Sequence, residues 1–167
     1  MGIEGGLHHQ ILYRNNVEWL DEGYGNIKWN PPSFMSNGKE IPEEDYVEIH
    51  DDLLRYFHDY FIWIETYNPT GAKEFNRGFN YCGMTAIRGE NLAKFGKLID
   101  SLLSLFENAP ENIILTGDFC FGGKHKHNGN YEKIRVKKDE LFKIFGSLKI
   151  MTDRAIKNNG YLLHFGI

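Results

Sequence analysis

The chain predicts an α+β domain, a largely antiparallel sheet with about three helices packed mainly on one of its faces. Three observations lead there. Segments 90–108 and 138–158 repeat apolar residues at helical spacing. Around them lie short aromatic and β-branched runs bounded by Gly, Asn, Asp and Pro, which read as strands and turns. No internal repeat or low-complexity linker breaks the 167 residues, so one domain over 1–167 is expected, long enough to bury about two thirds of its unfolded surface.

In chain order, residues 6–14 and 25–29 are β-prone and separated by Asp21-Glu22-Gly23, which predicts a first hairpin. Residues 30–42 hold three of the five prolines together with Asn37-Gly38 and predict a loop. From Glu43 to Asp59, apolar residues at 46, 47, 49, 53, 54 and 57 face acidic ones, predicting an amphipathic helix whose start suits Pro42 and the carboxylates of its first turn. Residues 61–67 and 79–87 read as strands of a long hairpin. Residues 112–121 and 131–137 read as another hairpin, closed by a polar Gly-, Lys- and His-rich loop. Gly160 is placed to end the last helix, and 161–165 make a final strand.

Aromatic residues make up 14% of the chain, which excludes the composition of a disordered protein. No apolar run approaches the roughly 20 residues of a membrane span, and the first ten residues lack a signal-peptide pattern, so a cytoplasmic protein is expected. The two cysteines, Cys82 and Cys120, lie in apolar runs and are expected to be buried, inert, free thiols.

Motifs that carry chemistry are few. His125 and His127 alternate on an extended segment, but no nearby Cys or His completes a four-ligand metal site, so an exposed loop is the plainer reading; His8-His9 is a weaker signal still. Cys82 beside Gly83 could be a nucleophile if the fold brought a His and a carboxylate to it. Phe121-Gly122-Gly123-Lys124 is Gly-rich but does not lead into a helix, as a phosphate-binding loop would. Asp118, in Thr116-Gly117-Asp118, has no partner carboxylate in sequence and suits a turn or bulge. No cofactor and no metal are implied.

Charge is the sharpest signal. Residues 1–66 carry 13 acidic and 4 basic side chains, a net −9, whereas 67–167 carry 10 acidic and 15 basic, a net +5. Seven carboxylates fall between 40 and 52. Glu43, Glu44, Asp45, Glu48, Asp51, Asp52 and Asp59 are therefore the expected partner-binding residues, facing a cationic protein; a solvated helix face is the plainer alternative. Lys124, Lys126, Lys133, Arg135 and Lys137, with Tyr131 among them, form a basic hairpin that could track a phosphate backbone, although nucleic acid is not the expected partner of a chain with pI near 6.0.

An acidic α+β domain standing alone, the run from Glu43-Glu44-Asp45 to Asp51-Asp52 and the abrupt C-terminal strand Leu162-Leu163-His164-Phe165-Gly166-Ile167 together resemble the small immunity proteins of bacterial contact-dependent inhibition and related polymorphic toxin systems. That resemblance implies a cytoplasmic protein that neutralises a cognate toxin, typically a nuclease, by covering its catalytic cleft or an exosite, and it implies no enzyme activity. Those proteins share no active site, so the expected binding residues rest on charge alone. Two rival readings stand beside it: a nucleic-acid-binding domain using the 124–138 hairpin, and an enzyme using Cys82 or a His with a carboxylate.

Overall fold

The computed structural model describes residues 6–15, 27–30, 33–36, 38–69, 75–121 and 129–167. The strands are β1 (His8–Arg14), β2 (Ile27–Asn30), β3 (Ser33–Ser36), β4 (Lys39–Glu40), β5 (Tyr46–His50), β6 (Glu65–Tyr67), β7 (Phe75–Arg77), β8 (Met84–Arg88), β9 (Asn112–Phe121), β10 (Gly129–Lys137) and β11 (Tyr161–Phe165). The helices are α1 (Asp51–Tyr56), α2 (His58–Phe61), α3 (Glu90–Phe106) and α4 (Lys138–Lys157), and a 3-10 turn spans Glu43–Asp45.

Six strands form one sheet in the order β5-β1-β11-β8-β6-β7, and every described pairing is antiparallel. The α+β expectation therefore holds. Along β1, β8 and β11, side chains alternate between two buried layers, as a pleated strand requires. Ile11, Tyr13, Ile87 and Leu162 face the main core with Phe95 and Ile99 of α3 and Leu141 and Phe145 of α4. Leu12, Ala86, Tyr161 and Leu163 lie in separate clusters that also take in Phe34 and Ile41, from and beside the small sheet β2-β3-β4. The strand β11 is covered on both faces. Its first four residues are all buried.

The two long helices lie where the apolar spacing placed them. The last ends in a Schellman arrangement: Asn159 takes the left-handed conformation at φ 51°, Gly160 N–H donates to the Ala155 carbonyl at 2.7 Å, and Asn159 N–H to that of Ile156 at 3.4 Å. What requires glycine at 160 is the neighbouring strand, because a Cβ there would collide with the Arg14 carbonyl.

Four expectations are corrected. The strands expected over 61–67 and 79–87 shrink to β6 and β8, because Phe61 closes α2, and β6 pairs along its length with β7 and only through Tyr67 with Ala86 of β8. The helix expected over 43–59 is instead the 3-10 turn, strand β5 and two short helices. Tyr46-Val47-Glu48-Ile49-His50 also alternates at period two, and pairing Val47 with Ile11 and Ile49 with His9 satisfies their backbone while burying Ile49. His50 then caps α1 by accepting from Asp52 N–H at 3.2 Å. The expected first hairpin does not form: β1 pairs with β5 and β11, and β2 with β3. The loop expected over 30–42 contains β3 and β4, short enough to avoid its prolines.

Candidate functional site

The strand β5 forms one edge of the six-stranded sheet. Between this edge, the 3-10 turn and α4 lies a groove of about 680 Å³. Val47, Leu53 and Ile144 give it an apolar floor, and Glu43, Glu44, Glu48 and Glu140 line it with Lys143, His8 and His50. Glu43, Glu44 and Glu48 are exposed. The carboxylates outnumber the lysine, and their field is felt locally: partial burial, then Glu43, Glu48 and Glu40, push the Tyr46 phenol above its usual range.

The remaining carboxylates of the acidic run go elsewhere. Asp45 lies 2.7 Å from the Arg154 guanidinium, without the geometry of a hydrogen bond, while Arg154 also stacks over the Tyr13 ring at 4.5 Å. Asp52 is half-exposed, 3.8 Å from Arg55, and Asp59 is exposed on α2. Asp51 turns inward. It is 7% exposed and belongs to a buried polar network that charge counting does not reveal.

In that network His9 Nε2 lies 3.1 Å from Asp51 Oδ1, His9 Nδ1 lies 3.0 Å from His164 Nε2, and the Tyr81 hydroxyl donates to Asp51 Oδ2 at 3.0 Å. Both histidines are wholly buried, and burial lowers both imidazole pKa values, that of His164 to about 3. Each is therefore neutral with one N–H. Because a carboxylate only accepts, His9 donates from Nε2, its Nδ1 accepts from His164 Nε2–H, and all donors point toward Asp51. His164 Nδ1 has no hydrogen-bond partner among the described residues. The network ties β1, β11, α1 and the turn before β8 together across 155 residues of sequence. Burial and Asp51 together raise the Tyr81 phenol, which keeps it protonated as a donor.

On the outer side of Asp51, Arg55 bonds to Asp118 and lies 3.9 Å from both Asp51 and Glu132. Asp118 sits where the β9/β10 register shifts, in the bulge its Gly117-Asp118 sequence suggests. Arg55, Asp118 and Glu132 line a cleft of about 550 Å³ together with Tyr81, His58 and Phe79. Cys120 donates to Glu132 at 3.3 Å; that bond, more than desolvation, raises the thiol pKa, the wrong direction for a nucleophile. Cys82 and Cys120 are free but exposed, correcting their expected burial: Cys82 precedes β8 rather than lying within it, and Cys120 sits on the part of β9 that leaves the core. Among the described residues no His lies in hydrogen-bond contact with either thiol.

The basic hairpin is a two-stranded ribbon whose register pairs Lys133 with Thr116, Arg135 with Ile114 and Lys137 with Asn112. Lys133, Arg135 and Lys137 are exposed on the face opposite buried Ile134 and Val136. Lys124, His125, Lys126 and His127 lie outside the described residues, as do Gly122 and Gly123. Sequence reasoning missed His9, His164, Tyr81 and Arg55 as a connected set. A polar residue on the apolar phase of a strand, such as His164 in Leu162-Leu163-His164-Phe165, is the signal that could have found the histidines. No helix among the described residues is long and apolar enough to cross a membrane. Compared with protein-family models, curated proteins and solved structures, the chain matches none.

Proposed function

We propose that this chain is an immunity-type binding protein that neutralises a cognate cationic toxin, most suitably a nuclease, by seating part of it in the groove beside β5. The observation that supports the reading is the composition of that groove: an apolar floor of Val47, Leu53 and Ile144 under exposed Glu43, Glu44 and Glu48. Interfaces draw affinity from apolar anchors in desolvated pockets and specificity and speed from a charged rim. A nuclease must be basic to hold its phosphodiester substrate, so an acidic rim competes for the same field. Of the carboxylates expected to bind, Glu43, Glu44 and Glu48 are the ones this reading assigns to the partner, with Asp52 and Asp59 peripheral, Asp45 engaged by Arg154 and Asp51 buried.

The test is association with a cationic nuclease toxin identified as the cognate partner by co-purification, followed across ionic strength, together with rescue of cells that express that toxin. Reversing Glu43, Glu44 and Glu48 to Lys should slow association at least tenfold at low salt, flatten its salt dependence and abolish rescue. Ile144→Asp, in the floor, should instead speed dissociation. Parent-like binding and rescue by the folded triple variant would refute the reading.

A further inference from the structure

The two faces of the β9/β10 ribbon carry different chemistry. Toward the core, Ile113, Leu115, Ile134 and Val136 are buried, and farther out Glu132 and Asp118 are held by Arg55. Strand alternation puts Lys133, Arg135 and Lys137 on the other face, about 6.6 Å apart in succession. Below them on that face comes Tyr131, paired in register with Phe119, while Phe121 pairs with Gly129. The three rings touch edge to face, Phe119 lying 5.1 Å from Tyr131 and 5.2 Å from Phe121. They remain open to solvent, at 46% for Phe119, 59% for Tyr131 and 72% for Phe121. Lys133 donates to the Thr116 hydroxyl, and no carboxylate among the described residues lies within ion-pair distance of Lys133, Arg135 or Lys137.

We infer that this outward face binds single-stranded nucleic acid, the cations following the phosphates and the rings of Tyr131, Phe119 and Phe121 receiving unstacked bases. Charge complementarity identifies a polyanion, because three uncompensated cations stand on one strand of a chain whose net charge is −4. The rings select a single strand over a duplex. Exposed aromatic faces at the end of a basic track are used by bases that are free to stack, and duplex bases are not. The inference goes beyond the toxin-binding reading and does not use the β5 groove.

The experiment is fluorescence anisotropy of a labelled short oligothymidylate, and of oligouridylate, against the whole chain. Three phosphate contacts predict a log–log salt slope near −2, hence roughly 20-fold weaker binding between about 50 and 200 mM salt. Replacing Lys133, Arg135 and Lys137 together by Gln should remove that slope, and Tyr131→Ala should weaken binding about tenfold with the slope unchanged. Every changed side chain is exposed, and a parent-like melting curve verifies the fold. The Glu43/Glu44/Glu48 reversal, which breaks the toxin-binding reading, should leave oligonucleotide binding intact or slightly tighter. Absence of binding at low salt would overturn the inference. So would binding indifferent to the three cations, or sedimentation showing that this face pairs two copies of the chain.

Discussion

Asp51 and Glu48 lie three residues apart in one acidic run, yet they occupy opposite environments. Glu48 stands in solvent beside the open sheet edge with Glu43 and Glu44. Asp51 is buried and accepts hydrogen bonds from His9 and Tyr81, with Arg55 3.9 Å away. A carboxylate in water is free to meet a partner's cation but contributes little to folding, whereas a buried one is affordable only with dedicated donors, and those donors then depend on it. Like charges close in sequence are therefore not one functional unit. The strand-to-helix junction at His50 decides which of them face outward.

The largest expected effect of breaking this division is on Asp51. Asp51→Ala leaves the His9 Nε2–H buried without an acceptor and removes two hydrogen bonds to a charged group, so urea unfolding should show a loss of about 2–4 kcal/mol. Asp51→Asn keeps one acceptor oxygen and should recover part of that loss. Equal effects of the two variants would mean that the site responds to packing and not to hydrogen bonding.

The histidines give the same comparison a pH dependence. In the folded chain His164 titrates near pH 3, against about 6.5 when unfolded. Between those values the unfolded chain binds a proton that the folded chain excludes, so stability is full above about pH 6.5 and falls as the pH falls toward 3. Lowering the pH from about 7 to 5.5 should cost about 1.3 kcal/mol through His164 alone, and His9, lowered in the same direction, adds to it. His164→Phe should flatten the stability profile over this range. An unchanged slope in that variant would show that the proton uptake lies elsewhere.

The sequence made the long helices, the β9/β10 hairpin and β11 legible because each is dominated by one periodicity, with Gly160 marking a stop. Residues 43–59 are ambiguous in sequence because their apolar positions satisfy both periods over a few residues. Tertiary pairing of Val47 and Ile49 with β1 decided between them. The groove was half visible: its carboxylates could be counted, but Ile144 and Glu140 reach it from α4, almost a hundred residues away. The network of His9, Asp51, Tyr81 and His164 draws one residue from each of four separated segments, so no local spacing announces it.

Arg154 lies between the extremes. It joins Asp45 at 2.7 Å while covering Tyr13, in a half-exposed setting where screening limits the ion pair and ring contact supplies the rest. Arg154→Ala should cost about 1 kcal/mol in thermal or urea unfolding, and Arg154→Lys should recover less than half, since an ammonium lacks the planar surface that lies on the ring.

The smallest effect should come from the groove carboxylates themselves. Replacing Glu43, Glu44 and Glu48 together by Gln removes three negative charges from an edge where no described ion pair uses them. Nothing buried loses a partner, and less self-repulsion offsets any small loss of local polarity. Stability should therefore stay within about 0.5 kcal/mol of the parent. The Tyr46 phenol, raised in part by Glu43 and Glu48, should titrate lower in the same variant, which spectrophotometric titration can follow. A neutral stability change with a shifted Tyr46 titration would establish that these side chains set the electrostatic field of the groove without supporting the fold. A loss comparable to that of Asp51→Ala would erase the distinction between the two kinds of carboxylate and return Glu43, Glu44 and Glu48 to a structural role.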